Sequence, residues 1–380
     1  MHSLHAVHDD WLMPMASQAS VAPSGWVQAL ADIAAAVGAS TGAAPPVAGQ
    51  ATDAAKAVAA SLLSGERKAV LLGNAAAQHP QAGALLARAN WIGTQAGASV
   101  GYLTEAANSV GAQLVGALPE NGGLNAAQML GADGDAPLKA CLLLNVEPTL
   151  DAANAAAATA AMHAAEMVVV LSPFKTAAHD VADVLLPIAP NTETSGTYVN
   201  AEGRVQGFHG VVKPLGETRP AWKVLRVLGN MLALKGFDFE TSEDVRAEAL
   251  GDVASLAARL NNQSTAQGTT PSAGESALES KLERVADVPI YATDALVRRA
   301  TSLQLTADAR PPVASLPPAL WERLGLKPGD KVRVSQGAAH AVLPARLDAT
   351  LAPTAVRVPA GHADTATLGA MFGAIDVEKA

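Results

Sequence analysis

The chain has a single cysteine, Cys141, among its 380 residues. One thiol cannot form a disulfide within the chain, and it cannot supply the several cysteines of a structural zinc site. It also cannot hold an iron–sulfur cluster, which ordinarily takes four cysteine ligands. Because Cys141 lies inside a run of aliphatic residues, we expect a small buried side chain rather than a nucleophile.

Basic residues are also few: the chain has 26 basic and 35 acidic residues, and its formal net charge is −9. A nucleic-acid-binding surface needs an excess of basic residues, so we predict no nucleic-acid partner. No stretch of about 18 uncharged apolar residues is present. The first ten residues lack the basic start and apolar core of a signal peptide. These absences predict a cytoplasmic protein with no direct membrane insertion.

Three common catalytic signatures are missing: the Gly-x-x-x-x-Gly-Lys phosphate loop, Gly-x-Gly-x-x-Gly after a strand, and His-Glu-x-x-His. His2, His5 and His8 recur every third residue, as do the apolar residues around them, so we expect a helical start with three histidines on one face. No carboxylate or further ligand is placed to complete a metal site there. The sequence therefore predicts no catalytic residue and no metal ligand in this chain.

What the chain does contain is an alternation of short apolar runs and helical segments. The runs predict five strands, at residues 69–74, 99–103, 138–145, 167–172 and 184–187. Strands that are apolar on both sides are typical of a parallel sheet covered by helices. Ligands of such sheets bind beyond the carboxyl ends of the strands, so the loops that follow the first, third and fourth runs are the ones to inspect.

A change of composition divides the chain. Residues 261–280 are rich in Gln, Ser, Thr and Gly and predict a flexible linker. Residues 1–260 form the predicted α/β body, which ends in a helix at 218–234. Residues 281–380 are dense in Pro, Gly and Asp, which predicts a small β-barrel, with a short helix at 364–372.

The most distinctive segment is residues 193–206, Glu-Thr-Ser-Gly-Thr-Tyr-Val-Asn-Ala-Glu-Gly-Arg-Val-Gln. Residues 200–203 are suited to the turn of a β-hairpin, because Asn bonds its own backbone and Gly accepts positive φ. A hairpin alone does not explain the density of polar side chains such as Glu193, Glu202 and Arg204. A simple turn and a functional site, or the relic of one, are equally consistent with this pattern.

The adjacent residues Arg298 and Arg299 also have two interpretations. The planar guanidinium group suits a clamp on a phosphate or carboxylate. A surface or interdomain ion pair is at least as consistent with the sequence.

Four segments together resemble one family, in their order along the chain. They are Leu-Pro-Glu-Asn-Gly-Gly-Leu-Asn, the segment at 193–206, Gly-Glu-Thr-Arg-Pro-Ala-Trp-Lys-Val-Leu-Arg, and Pro-Ile-Tyr-Ala-Thr-Asp-Ala-Leu-Val-Arg-Arg, beginning at residues 118, 193, 216 and 289. The family that they resemble is the large iron–sulfur subunit of bacterial NADH-quinone oxidoreductase, which is respiratory complex I.

This resemblance implies an α/β, molybdopterin-oxidoreductase-like (formate dehydrogenase-like) fold of parallel-sheet layers, followed by a small C-terminal double-psi-type β-barrel. In full-length members the iron–sulfur clusters lie in an amino-terminal region. With one cysteine, this chain resembles a carboxy-terminal part that lacks the clusters, so we expect it to bind no cofactor itself.

The resemblance further implies a structural and assembly domain in the peripheral arm of NADH:quinone oxidoreductase, a respiratory electron-transfer enzyme. The chain alone would not be catalytic. Its partners would be the other peripheral-arm subunits, and it would lie in the cytoplasm, attached to the inner membrane through the complex. The alternative is the carboxy-terminal half of a true molybdopterin oxidoreductase resembling formate dehydrogenase.

In related molybdopterin enzymes the segment equivalent to Asn-x-Glu-x-Arg lies near the pterin. The resemblance therefore implies that Gly196, Asn200, Glu202, Gly203 and Arg204 form a relic of a cofactor motif. We expect Asn200, Glu202 and Arg204 to hold the hairpin and an interdomain contact instead.

Overall fold

A computed structural model describes residues 1–130, 138–261 and 281–380 of the chain. Nearly all of the linker predicted at 261–280 lies outside these residues. The described parts have the mixed α/β fold that was predicted, with a curled β-sheet at the carboxy-terminal end. None of the helices in these parts is long and apolar enough to cross a membrane.

Helices make up much of the first 260 residues. They are α1 (Trp26–Thr41), α2 (Asp53–Ser64), α3 (Asn74–Ala77), α4 (Ala82–Ala96), α5 (Ser109–Leu114), α6 (Ala126–Leu130), α7 (Pro148–Asp151), α8 (Ala155–Ala164), α9 (Ala221–Met231) and α10 (Ser242–Leu250). Local signals fix their ends: Thr52 caps α2 by accepting a hydrogen bond from the amide of Ala55, and α1 ends at Gly42 in a left-handed conformation.

All five strands predicted for this region are present. They are β3 (Ala69–Leu72), β4 (Ser99–Tyr102), β5 (Ala140–Leu144), β6 (Met167–Ser172) and β7 (Val184–Pro187). Every pairing between them is parallel, as predicted. Within the described residues, however, they form two separate sheets, β3–β4 and β5–β6–β7, rather than one.

The prediction that helices cover both faces of the sheet was wrong for β5–β6–β7. One face is buried, with Val168 and Val170 packed around Met162 of α8. The other face exposes Leu142 and Met167 to 46% and 44%. The sequence does not show this difference between the faces. Alternate residues of a strand point to opposite faces, and here the residues on both faces are apolar.

The segment at 193–206 forms the predicted hairpin. Strands β8 (Gly196–Val199) and β9 (Val205–Phe208) pair antiparallel around the turn at 200–203. Val199 is buried beside Leu250 and Leu256, so the hairpin packs onto the helical part of the body.

The carboxy-terminal part is a curled seven-stranded sheet in the order β15–β10–β14–β11–β13–β12–β16. Its strands are β10 (Glu283–Val285), β11 (Ala314–Leu316), β12 (Lys331–Gln336), β13 (Ala339–Leu347), β14 (Ala355–Arg357), β15 (Phe372–Ala374) and β16 (Asp376–Lys379), and two short helices accompany them, α11 (Thr301–Gln304) and α12 (Pro318–Arg323). Its core is aliphatic and includes Leu316, Val332, Val334 and Leu343.

Two terminal predictions were wrong. The chain begins with a strand, β1 (His2–His5), paired parallel with β2 (Ser17–Ser20), and not with a helix. Side chains three apart on a strand point to opposite faces, so His2 and His5 do not share one. Residues 364–372 were predicted to be helical, but only residues 363–365 form a single 3-10 turn before β15 begins. At the amino terminus, pairing with β2 outweighs local periodicity.

The amino-terminal residues and the curled sheet are joined by buried contacts. The carboxylate of Glu283 in β10 accepts hydrogen bonds from the amide and hydroxyl of Ser24, at 2.9 and 2.6 Å. The ring of Trp26 lies 5.9 Å from that of Phe372 in an edge-to-face arrangement. Residues on either side of the predicted linker therefore share one core.

Candidate functional site

The carboxyl ends of β5 and β6 carry a buried cluster of charged residues. The chain leaves β5 through Asn145, whose φ of 55° turns the backbone sharply before Glu147 and helix α7. After β6 it passes through Phe174 and Thr176. This is the edge where ligands of parallel sheets bind.

Glu147 lies at the centre of this cluster and is only 1% exposed. Its Oε2 accepts hydrogen bonds from Nη1 of Arg298 at 2.9 Å and Nη1 of Arg299 at 3.1 Å. Its Oε1 accepts from Nη2 of Arg299 at 2.5 Å and from the hydroxyl of Thr176 at 3.0 Å. Four donors thus occupy both oxygens of one carboxylate.

A second carboxylate completes the cluster. Asp151 bonds Nη2 of Arg298, and its other oxygen accepts from the amide of Glu147 at 2.7 Å. Two further guanidinium hydrogen bonds go to the backbone: Nε of Arg298 donates to the carbonyl of Ala292, and Nη1 of Arg299 also donates to that of Ala295. Both guanidinium groups therefore donate hydrogen bonds to carboxylates and to backbone carbonyls of the same chain.

The electrostatics follow from this geometry. Desolvation of the buried carboxyl opposes ionisation of Glu147, but the hydrogen bonds from Arg299, Arg298 and Thr176 outweigh it and lower its pKa to about 2. Burial acts against the charge of Arg298, yet its bonds to Asp151 and Glu147 raise the pKa of that guanidinium. Arg299 also lies over the ring of Phe174, 4.7 Å from its centre. Glu147 is therefore ionised at neutral pH.

The structure decides between the two interpretations of Arg298 and Arg299. Both form ion pairs with carboxylates of the α/β body, across the edge of the sheet. The loops after β5 and β6 were predicted to face a ligand site, and they do lie at this edge. Glu147 lies in the loop after the third predicted strand, one of the loops to inspect, but neither its carboxylate nor that of Asp151 was predicted to pair with the arginines. The only signal was two acidic residues four apart, directly after a strand.

The relic motif lies in the hairpin. The side-chain oxygen of Asn200 accepts hydrogen bonds from the amides of Glu202 and Arg204, at 3.1 and 2.9 Å. Gly203 has φ of 80°, and a Cβ there would lie 2.3 Å from a methyl group of Leu260. Asn200 and Gly203 therefore shape the turn.

The other members of the motif have different surroundings. Gly196 lies against the ring of Phe208, where a Cβ would approach to 2.6 Å. Glu202 and Arg204 are exposed, and no hydrogen bond or ion pair of their side chains is seen within the described ranges. The five residues share the hairpin, and none of them is among the residues that bond Glu147.

Cys141 lies in β5, partly buried, with Val168 as its neighbour in β6. Desolvation raises the pKa of its thiol, so at neutral pH it is a protonated side chain. Across residues 1–130, 138–261 and 281–380, no three His, Cys, Asp or Glu residues are grouped so that they could hold a metal ion.

Comparison with known proteins identifies the family. The model of the molybdopterin oxidoreductase family matches residues 24–231. The probable oxidoreductase YjgC of Bacillus subtilis is 32% identical over 132 residues, which are 35% of this chain and 13% of that protein. A formate dehydrogenase-like protein of Staphylococcus aureus is 36% identical over 97 residues, 26% of this chain and 9% of that protein.

Among solved structures, acetylene hydratase from Pelobacter acetylenicus aligns with a TM-score of 0.47 and 18% identity, over 67% of this chain and 46% of that one. The matched stretches span only a small part of the curated relatives. The family match covers more than half of the present chain, which therefore belongs to the molybdopterin oxidoreductase family.

Proposed function

We propose that this chain is a structural part of a formate dehydrogenase-like molybdopterin oxidoreductase, and that it does not itself bind the molybdenum cofactor. The family match and the oxidoreductases among its relatives support the enzyme class. The observation that carries the structural role is the buried cluster around Glu147, which fills the edge of the sheet with the chain's own side chains.

The cluster does not fit an anionic cofactor. Molybdopterin carries phosphate, which needs cations or N–H groups with free donors. The two cations at this edge, Arg298 and Arg299, already donate to Glu147, Asp151 and backbone carbonyls. A phosphate entering here would also meet the ionised carboxylate of Glu147 and be repelled by it.

The one thiol of the chain is not placed as a metal ligand. Cys141 is protonated and lies within a paired strand, not in a loop at the carboxyl edge. Among the described residues, no three His, Cys, Asp or Glu side chains are grouped so that they could hold a metal ion by themselves. We therefore assign no catalytic step to this chain.

A second candidate is the peripheral arm of NADH:quinone oxidoreductase. The segments at 193–206 and 289–299 favour it, because both resemble the large iron–sulfur subunit of that enzyme and the second contains Arg298 and Arg299 of the cluster. In this case the partners are the other peripheral-arm subunits, the iron–sulfur clusters lie outside this chain, and the complex holds it at the cytoplasmic face of the inner membrane.

Co-purification distinguishes the two candidates. The chain, tagged at its own gene, is isolated from the source cell and assayed for formate-dependent dye reduction and for NADH oxidation with bound flavin. Formate-dependent activity supports the first candidate, and NADH oxidation with flavin supports the second. Recovery of the chain without an oxidoreductase contradicts both.

A further inference from the structure

The loop that leads from the hairpin to α9 presents apolar side chains to solvent. This connecting loop, residues 209–217, exposes Val211 and Leu215 to 84% and 78%, with Val212 also exposed. Lys213 lies between them in the sequence. Exposed aliphatic side chains within five residues of one another can together form an interaction site.

Hydrogen bonds to residues 192 and 193 hold the backbone of the connecting loop in place. The amides of Val211 and Val212 both donate to the carbonyl of Thr192, at 2.8 and 3.4 Å, and the amide of Leu215 donates to the carboxylate of Glu193 at 2.9 Å. Gly210 passes so close that a Cβ there would lie 3.0 Å from the backbone of Glu193. The apolar side chains are thus presented by an ordered backbone, which reduces the entropy lost on binding.

The charge around the connecting loop is opposite to that of the chain. Between residues 204 and 226 the exposed charged side chains are four basic ones, Arg204, Lys213, Arg219 and Lys223, and one acidic one, Glu217. No ion pair of these four is seen among the described residues. The whole chain carries a net charge of −9.

An acidic surface with apolar walls lies elsewhere on the same chain. Between β1 and β2 an open cavity of about 390 Å³ is lined by side chains of both kinds: His8, Asp9, Asp10, Trp11, Met13, Met15, Gln18 and Thr350. We call it the amino-terminal pocket. The side chains of Asp9, Asp10, Trp11 and Met13 are exposed.

The amino-terminal pocket is also ordered. Gln18 accepts a hydrogen bond from the indole N–H of Trp11 at 3.2 Å and contacts the ring of His8 at 3.1 Å. The amide of His8 donates to the carbonyl of Thr350 at 2.8 Å, which fixes the rim to the curled sheet. The pocket thus offers apolar walls and carboxylates to a ligand that has aliphatic and basic groups.

We propose that this chain associates with itself head to tail, the connecting loop of one copy entering the amino-terminal pocket of the next. Val211 and Leu215 would contact Trp11 and Met13, and Lys213 would face Asp10. The contact joins two different surfaces, so it is heterologous and adds copies in a row or a ring. The proposal does not depend on the oxidoreductase class proposed above.

A second copy fits these observations better than a lipid membrane. The basic side chains around the connecting loop are complementary in charge to Asp9 and Asp10 of the amino-terminal pocket. The connecting loop also contains no Trp, Tyr or Phe, the side chains that anchor proteins at membrane interfaces. The aliphatic side chains of the loop suit the apolar walls of the amino-terminal pocket.

The test is sedimentation velocity of the full chain over a wide range of concentration and salt. The wild-type chain should associate with rising concentration, less so at high salt. Lys213→Glu and Asp10→Lys should each weaken association at least about tenfold, because each places like charges together. An equimolar mixture of the two variants should associate again, since each variant's altered surface then meets its opposite charge. Lys56→Glu, the same charge change on the exposed surface of α2, should behave as wild type.

Three results would overturn the proposal. The first is a wild-type chain that is monomeric at every concentration. The second is association that neither charge reversal alters. The third is a monomeric chain that binds phosphatidylserine vesicles through Lys213. The mixing arm also excludes misfolding as the cause of lost association, because misfolded variants would not restore it.

Discussion

Arg299 holds both carboxylate oxygens of Glu147, with Nη2 2.5 Å from Oε1 and Nη1 3.1 Å from Oε2. The two residues are 152 positions apart in the chain. Arg299 follows the predicted linker, whereas Glu147 lies in the loop after β5 of the α/β body. This bidentate ion pair therefore fastens the carboxy-terminal segment across the carboxyl edge of a parallel sheet, the edge where ligands of such sheets bind.

Glu147→Gln should destabilise the folded chain by about 3 kcal/mol, because it removes the charge that two buried guanidinium groups share. The glutamine keeps the size of the side chain, so the loss reports on charge and not on a cavity. Urea unfolding followed by circular dichroism measures it as a lower midpoint at an unchanged slope.

Asp53→Asn is the matched control for this substitution. It neutralises a carboxylate in the exposed pair with Lys56, where solvent already screens the charges, and should leave the midpoint unchanged. Equal midpoints for wild type and Glu147→Gln would show that the buried cluster contributes nothing to stability.

The stability contributed by Glu147 should depend on pH. Its pKa is about 2 in the folded chain against an ordinary value of 4.5. A depressed carboxyl pKa stabilises the folded state above the unfolded pKa, and the stabilisation, roughly 3 kcal/mol, is lost as the pH falls from about 4.5 towards 2. The difference in unfolding free energy between wild type and Glu147→Gln should therefore be constant near neutral pH and shrink below pH 4.5. A difference that does not change down to pH 3 would contradict the assigned pKa.

The strands could be predicted from sequence but the cluster could not. The runs at 167–172 and 184–187 identify their strands because apolar, β-branched residues suit a sheet wherever it lies. The pairing of Glu147 with Arg298 depends on the path of the chain over 151 positions, about which local pattern says nothing. The same limit explains the error at β1, whose partner strand begins at Ser17.

In the hairpin, Asn200→Ala should destabilise the chain by about 1–2 kcal/mol, because two backbone amides of the turn lose their acceptor. Arg204→Ala should leave the unfolding midpoint unchanged, because the side chain is exposed. Thermal unfolding of both variants makes the comparison. If Arg204→Ala lowers the midpoint as much as Asn200→Ala, the arginine has a structural contact after all.

The motif at 193–206 shows what residue types alone can tell. The turn was predictable because Asn200 and Gly203 have conformational preferences of their own. The contacts of Glu202 and Arg204 could not be predicted, because the sequence around an exposed charged side chain does not show which residue it will contact. The interdomain contact expected for them stays a prediction. Assembly of Arg204→Ala with the partner subunits tests it separately from stability.

The metal and pterin content of the purified full chain shows whether the chain binds the molybdenum cofactor, as we propose that it does not. The chain is isolated from cells that make the cofactor, then analysed by inductively coupled plasma mass spectrometry and by fluorescence of the oxidised pterin. We predict molybdenum, tungsten and pterin far below one equivalent per chain, in the wild type and in Glu147→Gln alike. Stoichiometric metal and pterin in the wild-type chain would show instead that the chain binds the cofactor.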